Sequence, residues 1–172
     1  MSETALIVVD VQRDFCAGGA LAVPDGDAVV PPINALIEKF RSAGRPIFLT
    51  RDWHPADHSS FADQGGLWPP HCVADTEGAD FHPDLQVVDG MTIVSKATER
   101  ESDAYSGFEG TDLGSQLLAG GVAEVFVCGL ATDYCVKATA LDARKAGLAT
   151  TVLTDAIRGV EVQPGDTQGA LD

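Results

Sequence analysis

The 172-residue sequence lacks the features that would indicate a secreted, membrane or nucleic-acid-binding protein. Its first residues contain neither a basic segment nor a cleavable apolar one, and no apolar run approaches the roughly 20 residues that span a bilayer. Only 11 basic residues stand against 26 acidic ones, and the net charge of −15 repels phosphate backbones and anionic lipids. We therefore expect a cytoplasmic protein with no nucleic-acid partner and no membrane partner.

Motifs that bind phosphate groups are missing as well, and cysteine is scarce. The sequence contains neither G-x-G-x-x-G nor G-x-x-x-x-G-K-[ST], so nucleotide binding by either route has no support. The four cysteines lie at positions 16, 72, 128 and 135. In a reducing compartment, so few cysteines are more typical of free thiols, metal ligands or a nucleophile than of disulfides.

Five short runs of apolar and β-branched residues predict five strands. Such nearly uninterrupted runs are typical of strands covered on both faces, and they occupy 5–11, 46–50, 92–96, 124–130 and 150–156. Helix signals separate them in 29–44, 112–121 and 133–147, with Asp112 and Asp133 as candidate N-terminal caps. This alternation predicts a three-layer α/β/α fold with a mostly parallel, doubly wound sheet, and the length suits one domain over 1–172.

Two segments do not fit the alternation of strands and helices, namely 51–90 and 97–111. Loops of this length in a compact domain are usually functional, and both leave the carboxyl ends of predicted strands, where open α/β sheets build their sites. We read 51–90 as an excursion from the domain. The final stretch, 162–172, begins like a helix and stops after about one turn, so we expect an incomplete C-terminal helix.

Three reactive side chains fall at strand ends that a parallel sheet places along one edge. Asp10 ends the first strand, Lys96 ends the third, and Cys135 opens the helix after the fourth. A helix N-terminus and a nearby lysine each stabilise a thiolate, so we expect a lowered pKa for Cys135. A carboxylate can carry the thiol proton to a leaving amine. Taken one at a time, Asp10 is more typical of a cap and Lys96 of a solvated charge, while Cys135 is as typical of a small core residue as of a nucleophile. Together the three residues favour an amidase.

A second constellation follows the second predicted strand. Asp52 and His54 point to the same face if the chain stays extended, and His71 follows two prolines that stiffen its approach. One carboxylate and two imidazoles leave coordination positions open and suit zinc, iron or manganese. The alternative is that these are ordinary loop histidines engaged in hydrogen bonds. His58 is either a further ligand or a hydrogen-bonding partner of a ligand.

Three aromatic residues lie in irregular parts of the chain, outside the predicted strands and helices: Phe15, Trp68 and Tyr105. From the residues alone we interpret them as core-filling side chains beneath loops, because aromatics outside periodic elements serve that purpose more often than they line a pocket.

The sequence resembles the nicotinamidase group of the isochorismatase-like cysteine hydrolases, from Leu6 to about Gly165. The resemblance rests on five motifs in this order: IVVDVQRDFCAGGALAV, TRDWHPADHSSF, WPPHC, YSGFEGTDL and GLATDYCVKATALDA. WPPHC with D-W-H upstream is its specific part. Relatives continue through a helix and a final strand, and the present sequence departs from that pattern at its C-terminus.

This resemblance implies roles for three sets of residues. The catalytic residues would be Asp10, Lys96 and Cys135. The ligands of a divalent metal, with zinc the first expectation and iron or manganese the alternatives, would be Asp52, His54 and His71. Substrate binding would fall to the aromatic side chains and a backbone N–H beside a cis peptide at Leu130–Ala131: Phe15, Trp68, Tyr105 and Ala131. With the Cys135 N–H, the Ala131 N–H would form an oxyanion hole.

The implied reaction is deamidation of nicotinamide to nicotinate and ammonia. A cysteine thioester would form, Asp10 would carry the proton, and the metal would hold the pyridine nitrogen and water. The partner would be a small carboxamide, and a homo-oligomer would be compatible with the sequence. The alternatives are a related cysteine hydrolase acting on a ureido or carbamoyl compound, a non-haem iron oxygenase, and a binding protein without catalysis.

Overall fold

A computed structural model describes residues 3–172 and contains a five-stranded parallel sheet. The strands are β1 (Glu3–Val9), β2 (Ile47–Asp52), β3 (Thr92–Lys96), β4 (Val122–Leu130) and β5 (Ala149–Arg158). Their order across the sheet is β3-β2-β1-β4-β5, and each neighbouring pair is parallel. The chain therefore builds outwards from β1 on one side and returns to the other, which puts the topological switch point between β1 and β4.

Helices cover both faces of the sheet, as the apolar strands require. They are α1 (Val30–Ser42), α2 (Leu113–Ala119), α3 (Lys137–Lys145) and α4 (Asp166–Leu171). Side chains of β1 alternate between two cores: Leu6 and Val8 pack in the core that contains α1, and Ile7 packs in the one that contains α2. The predicted three-layer α/β fold is confirmed. No helix within residues 3–172 is long and apolar enough to cross a membrane.

Among the element ends that differ from the prediction, two lie next to the candidate catalytic residues. β1 stops at Val9 because Asp10 adopts a left-handed conformation, with φ 49°, that breaks the extended geometry. Residues Thr132–Val136 form a π-helical turn, so α3 begins at Lys137 rather than at Asp133. A bulge of this kind is frequent at functional sites, and here it directly precedes α3.

Neither aspartate proposed as a helix cap fills that role. The Asp112 side chain makes no capping hydrogen bond to α2. The Asp133 carboxylate instead accepts the N–H groups of Val160 and Glu161, each at 2.9 Å. It thereby joins the π-helical turn to the chain that follows β5, a long-range contact that local spacing does not reveal.

The long connection between β2 and β3 folds back over the carboxyl edge of the sheet. Its start and middle pair with each other, because the His54 N–H donates to the Cys72 carbonyl at 2.9 Å and the Ala74 N–H donates to the His54 carbonyl at 2.7 Å. The Asp14 carboxylate accepts the Cys72 N–H at 2.7 Å and ties the connection to the loop after β1. These bonds bring His71 next to the end of β2.

Gly129 in β4 allows the two central strands to approach each other at the switch point. It lies in register with Val9, has φ +116°, and a Cβ placed there would overlap the Val9 carbonyl oxygen and lie 2.7 Å from the Val9 nitrogen. Both the backbone angle and the space therefore exclude a side chain.

We expect Gly129→Ala to lower the free energy of unfolding by about 3 kcal/mol or more, because both backbones would have to separate. Chemical denaturation followed by circular dichroism measures this change. Gly114→Ala in α2 is the matched control, since its Cβ would lie 3.5 Å from Phe108 in ordinary contact and helix propensity favours alanine by up to about 1 kcal/mol. Equal stability of the two variants would contradict the close approach described here.

Candidate active site

Three strand ends place Asp10, Lys96 and Cys135 in one buried cluster. The Lys96 Nζ lies 2.9 Å from Asp10 Oδ2 and 3.4 Å from Cys135 Sγ. Asp10 Oδ1 accepts a hydrogen bond from the Thr50 hydroxyl at 2.8 Å, which fixes the carboxylate. Relative exposures of 0%, 1% and 6% for Asp10, Lys96 and Cys135 show that all three are withdrawn from solvent.

Lys96 is a buried ammonium group held between two carboxylates. Its Nζ contacts Asp52 Oδ1 as well as Asp10, and it donates to the Ala104 carbonyl at 3.2 Å. Burial opposes the charged form, but attraction to Asp10 and Asp52 outweighs burial and raises the pKa of Lys96 well above its usual value. Burial likewise opposes ionisation of Asp52, yet attraction to Lys96 and hydrogen bonding to His54 lower its pKa.

The prediction that Cys135 has a lowered pKa is wrong. Burial raises the pKa of Cys135 well above its usual value, and Asp10 and Asp52 add to the rise against the opposing effect of Lys96. Burial, together with repulsion from Asp52, also raises the pKa of Asp10, although Lys96 opposes the shift. The resting cysteine is therefore a thiol that needs a base, and the Asp10 carboxylate lies within 4.8 Å of its sulfur.

Asp52, His54 and His71 meet beside this cluster with their ligand atoms turned to one another. Asp52 Oδ2 lies 3.5 Å from His54 Nε2 and 3.9 Å from His71 Nε2, and all three residues are buried. The three ligand atoms lie within 4.8 Å of one another. The carboxyl end of β2 supplies Asp52, and the fold-back of the following connection supplies the histidines.

The donor set fits a divalent metal ion. His54 Nδ1 lies 3.0 Å from the Ala97 carbonyl and His71 Nδ1 lies 2.9 Å from the Pro69 carbonyl. A carbonyl oxygen can only accept a hydrogen bond, so the ring nitrogen facing it must be the donor. Each ring therefore carries its hydrogen on Nδ1 and turns the Nε2 lone pair towards Asp52. Burial lowers the pKa of His71, which favours the neutral form that binds metals, whereas at His54 the hydrogen bond and attraction to Asp52 outweigh burial and raise the pKa.

His58 lies behind the metal ligands and offers no free nitrogen. Its ring stacks on His54 with centroids 4.1 Å apart. Its Nδ1 pairs with Ser60, whose hydroxyl lies at 2.7 Å, and its Nε2 pairs with the Ser102 carbonyl at 2.9 Å. Of the two interpretations of His58, this geometry favours the support of a ligand over ligation itself.

A second group of candidate ligands, Cys16, Asp27 and His82, also brings its ligand atoms within 4.8 Å of one another, but its hydrogen bonds do not suit a metal ion. The His82 Nδ1 accepts the Asp84 N–H at 3.1 Å, so its Nε2 carries the proton and donates it to Asp27 Oδ1 at 2.8 Å. A ring in this state has no lone pair to give at Nε2. Burial raises the pKa of Cys16 to about 12, with repulsion from Asp27 adding to the shift. We interpret this group as a structural link.

Aromatic rings line a cleft that leads down to Cys135. Trp68 Nε1 donates to the Tyr105 hydroxyl at 3.1 Å, and the Phe15 ring lies 5.6 Å from that of His71. Trp68, Tyr105 and Phe15 all border the cleft, as does Ala131 after the cis peptide at Leu130–Ala131. The initial interpretation of the three aromatics as core-filling residues is incomplete, because each also faces this cleft.

The sequence analysis missed several residues of the cleft wall. Tyr134 packs against Trp68 with ring centroids 5.2 Å apart and against Tyr105 at 5.4 Å. Its place directly before Cys135 was an available signal. Val160 and Leu21 also line the cleft. Their place there depends on tertiary contacts, which no local sequence pattern predicts.

Comparison with known proteins finds relatives that match this chain over nearly its whole length. The isochorismatase domain family matches residues 4–169. A nicotinamidase from Escherichia coli is 42% identical, with 99% of this chain and 90% of the relative covered. A crystal structure of the Pyrococcus horikoshii pyrazinamidase with zinc is 53% identical with a TM-score of 0.94, covering 98% of this chain and 92% of the other. The Leishmania infantum protein PnC1, solved with nicotinate, is 36% identical with a TM-score of 0.91, covering 99% and 87%.

We expect His54→Ala and His71→Ala each to reduce bound divalent metal at least about tenfold, because each removes one of three ligands. Mass spectrometric metal analysis after dialysis measures the loss. His82→Ala is the matched control, since its ring is engaged with Asp27 and Asp84. Retention of metal by His54→Ala, or equal loss from His82→Ala, would contradict the assignment.

Proposed function

The chain belongs to the isochorismatase domain family, and we propose that it deamidates nicotinamide to nicotinate and ammonia. The observation that carries the proposal is the juxtaposition of two groups at the foot of one aromatic cleft. One is a thiol beside a carboxylate and a buried ammonium group, and the other is a set of metal ligands. A carboxamide on an aromatic ring that contains a nitrogen uses both groups at once.

The nucleophile in this proposal is Cys135 and the proton carrier is Asp10. Asp10 takes the thiol proton as the sulfur forms a bond to the carboxamide carbon, and the carbonyl oxygen becomes an oxyanion. Asp10 then protonates the amide nitrogen, the C–N bond breaks, and ammonia leaves a thioester. Water then gives a proton to Asp10 and attacks the thioester. The C–S bond breaks, the acid leaves, and Asp10 passes its proton to the sulfur, which restores the thiol and the carboxylate. The raised pKa of Asp10 suits a group that must both take and give a proton.

Lys96 holds this arrangement in place. Its ammonium group lies between Asp10 and Asp52 and 3.4 Å from the sulfur, so it stabilises negative charge on whichever of these atoms carries it. The backbone N–H groups of Ala131 and Cys135 are the proposed donors to the oxyanion. Their support is that both residues border the cleft beside the thiol.

Asp52, His54 and His71 are the proposed metal ligands, and zinc is the expected ion because it accepts imidazole and carboxylate ligands and leaves a position open. When bound, the metal would supply an anchor for the ring nitrogen. The Trp68, Tyr105 and Phe15 rings would bind the faces and edge of the substrate ring, because all three border the cleft above the thiol.

Cys135→Ala tests the nucleophile. We expect ammonia release from nicotinamide to fall by about 10³-fold or more, while the metal content stays unchanged, because the thiol is not a metal ligand. A coupled ammonia assay and metal analysis on the same sample measure both quantities. Cys128→Ala is the control, since this buried β4 thiol lies against the Ile7 carbonyl and outside the cleft. Retained turnover in Cys135→Ala would refute the thioester route.

A small panel of amides tests the substrate. We expect pyrazinamide to be hydrolysed at a rate within about tenfold of nicotinamide, and benzamide, which lacks the ring nitrogen, to lose about 10- to 200-fold in kcat/KM. An N-carbamoyl amino acid should release no ammonia. Preference for the carbamoyl compound would instead identify a ureido hydrolase, and ammonia release that depends on oxygen would favour an iron oxygenase.

A further inference from the structure

We propose that Gln12 is a positioning residue: it fixes the Asp52 backbone and thereby keeps the Asp52 carboxylate correctly placed relative to Lys96 and the two histidine ligands. The inference rests on the proposed function, which makes Asp52 a metal ligand and Lys96 part of the reaction. Gln12 is fully buried, with a relative exposure of 0%. It does not border the cleft, so any effect it has on the reaction passes through other residues.

The Gln12 side chain replaces main-chain hydrogen bonds at the point where the β1 backbone leaves the sheet. The last main-chain bond of this ladder runs from the Asp10 N–H to the Thr50 carbonyl, at 3.1 Å. Beyond it, Gln12 Oε1 accepts the Asp52 N–H at 2.9 Å and Gln12 Nε2 donates to the Asp52 carbonyl at 2.8 Å. One amide side chain thus satisfies both backbone groups of Asp52, as a neighbouring strand residue would.

The second N–H of the same amide fixes its orientation. Gln12 Nε2 also donates to the Ala79 carbonyl at 2.9 Å, at the end of the turn Glu77–Ala79. Both donors therefore face carbonyl oxygens and the acceptor faces an N–H group, so only one amide orientation satisfies all three hydrogen bonds. A side chain held at three points cannot rotate without breaking at least one of them.

Asp52 is the residue through which the two halves of the site meet. One carboxylate oxygen contacts the Lys96 ammonium group, and the other faces the Nε2 atoms of His54 and His71. A rotation of the Asp52 backbone would move both oxygens together. Because ligands must be held to within about 0.5 Å of their productive positions, the Gln12 amide controls metal affinity as well as local structure.

The test measures zinc affinity in variants that differ in these hydrogen bonds. Gln12→Met keeps nearly the same volume and removes all three bonds. Gln12→Glu keeps the acceptor for the Asp52 N–H and removes both donors. The control is Thr139→Val, because Thr139 is also fully buried and its hydroxyl accepts the Gly107 N–H at 3.0 Å, so that variant loses a buried bond away from Asp52.

We expect the zinc dissociation constant to rise about 10- to 100-fold in Gln12→Met and to rise in Gln12→Glu as well, with Thr139→Val unchanged. Competition with a chromophoric chelator measures it, at a temperature where circular dichroism shows each variant to be folded. If Gln12→Met does not fold, the zinc dissociation constant of Gln12→Glu alone tests the proposal. Wild-type zinc affinity in a folded Gln12 variant, an equal loss in Thr139→Val, or failure of both Gln12 variants to fold would overturn the proposal.

Zinc binding is measured without substrate, so this test is independent of turnover. Wild-type protein that binds zinc but releases no ammonia from nicotinamide would refute the proposed function and leave the positioning role of Gln12 intact. Wild-type protein that releases ammonia while Gln12→Met keeps its zinc affinity would refute the positioning role of Gln12 and leave the proposed function intact.

Discussion

The ammonium group of Lys96, placed between two carboxylates in an apolar interior, is the interaction on which the site depends. An isolated buried charge costs several kcal/mol or more, and a buried pair is favourable only when its geometry and remaining hydrogen bonds are good. Here the lysine meets Asp10 and Asp52 and also donates to a backbone carbonyl. Each of the three charges is tolerable because the other two are present.

This arrangement makes two kinds of chemistry interdependent. In the proposed function Asp10 serves the thiol and Asp52 serves the metal, so Lys96, which contacts both carboxylates, links the group that attacks with the group that orients the substrate. Burial and repulsion from Asp52 raise the pKa of Asp10 against the effect of Lys96, whereas attraction to Lys96 outweighs burial and lowers the pKa of Asp52. Two chemically identical side chains thereby become an acid–base group and a permanently ionised ligand.

The fold and the choice of site residues were accessible to sequence reasoning because they depend on strand ends. Parallel strands bring their carboxyl ends to one edge, so Asp10, Lys96 and Cys135 could be placed together from the positions of apolar runs alone. Spacing made His54 a candidate metal ligand and the two preceding prolines did the same for His71, whereas the choice over ordinary loop histidines came from the resemblance. The parallel direction of the strands required only the alternation of strands and helices, whereas their order across the sheet was not predicted.

What sequence reasoning could not supply depends on burial and on contacts between distant segments. The pKa of Cys135 was predicted in the wrong direction, because lysine is visible in the sequence whereas desolvation of the sulfur is not. The amide of Gln12 carries no local signal, since both its partners lie 40 or more residues away. Asp133 has the spacing of a cap, yet its carboxylate bonds to the chain after β5.

That bond at Asp133 has a bearing on how this scaffold can be recombined. A single carboxylate fastens the turn that carries the nucleophile to the backbone at positions 160 and 161, and Val160 itself forms part of the cleft wall. The C-terminal region is consequently not an interchangeable appendage. A chimera that exchanged it for the corresponding segment of another hydrolase would also need a compatible turn at Thr132–Val136. Otherwise the turn that carries Cys135 would lose its hydrogen bonds to the backbone at 160 and 161.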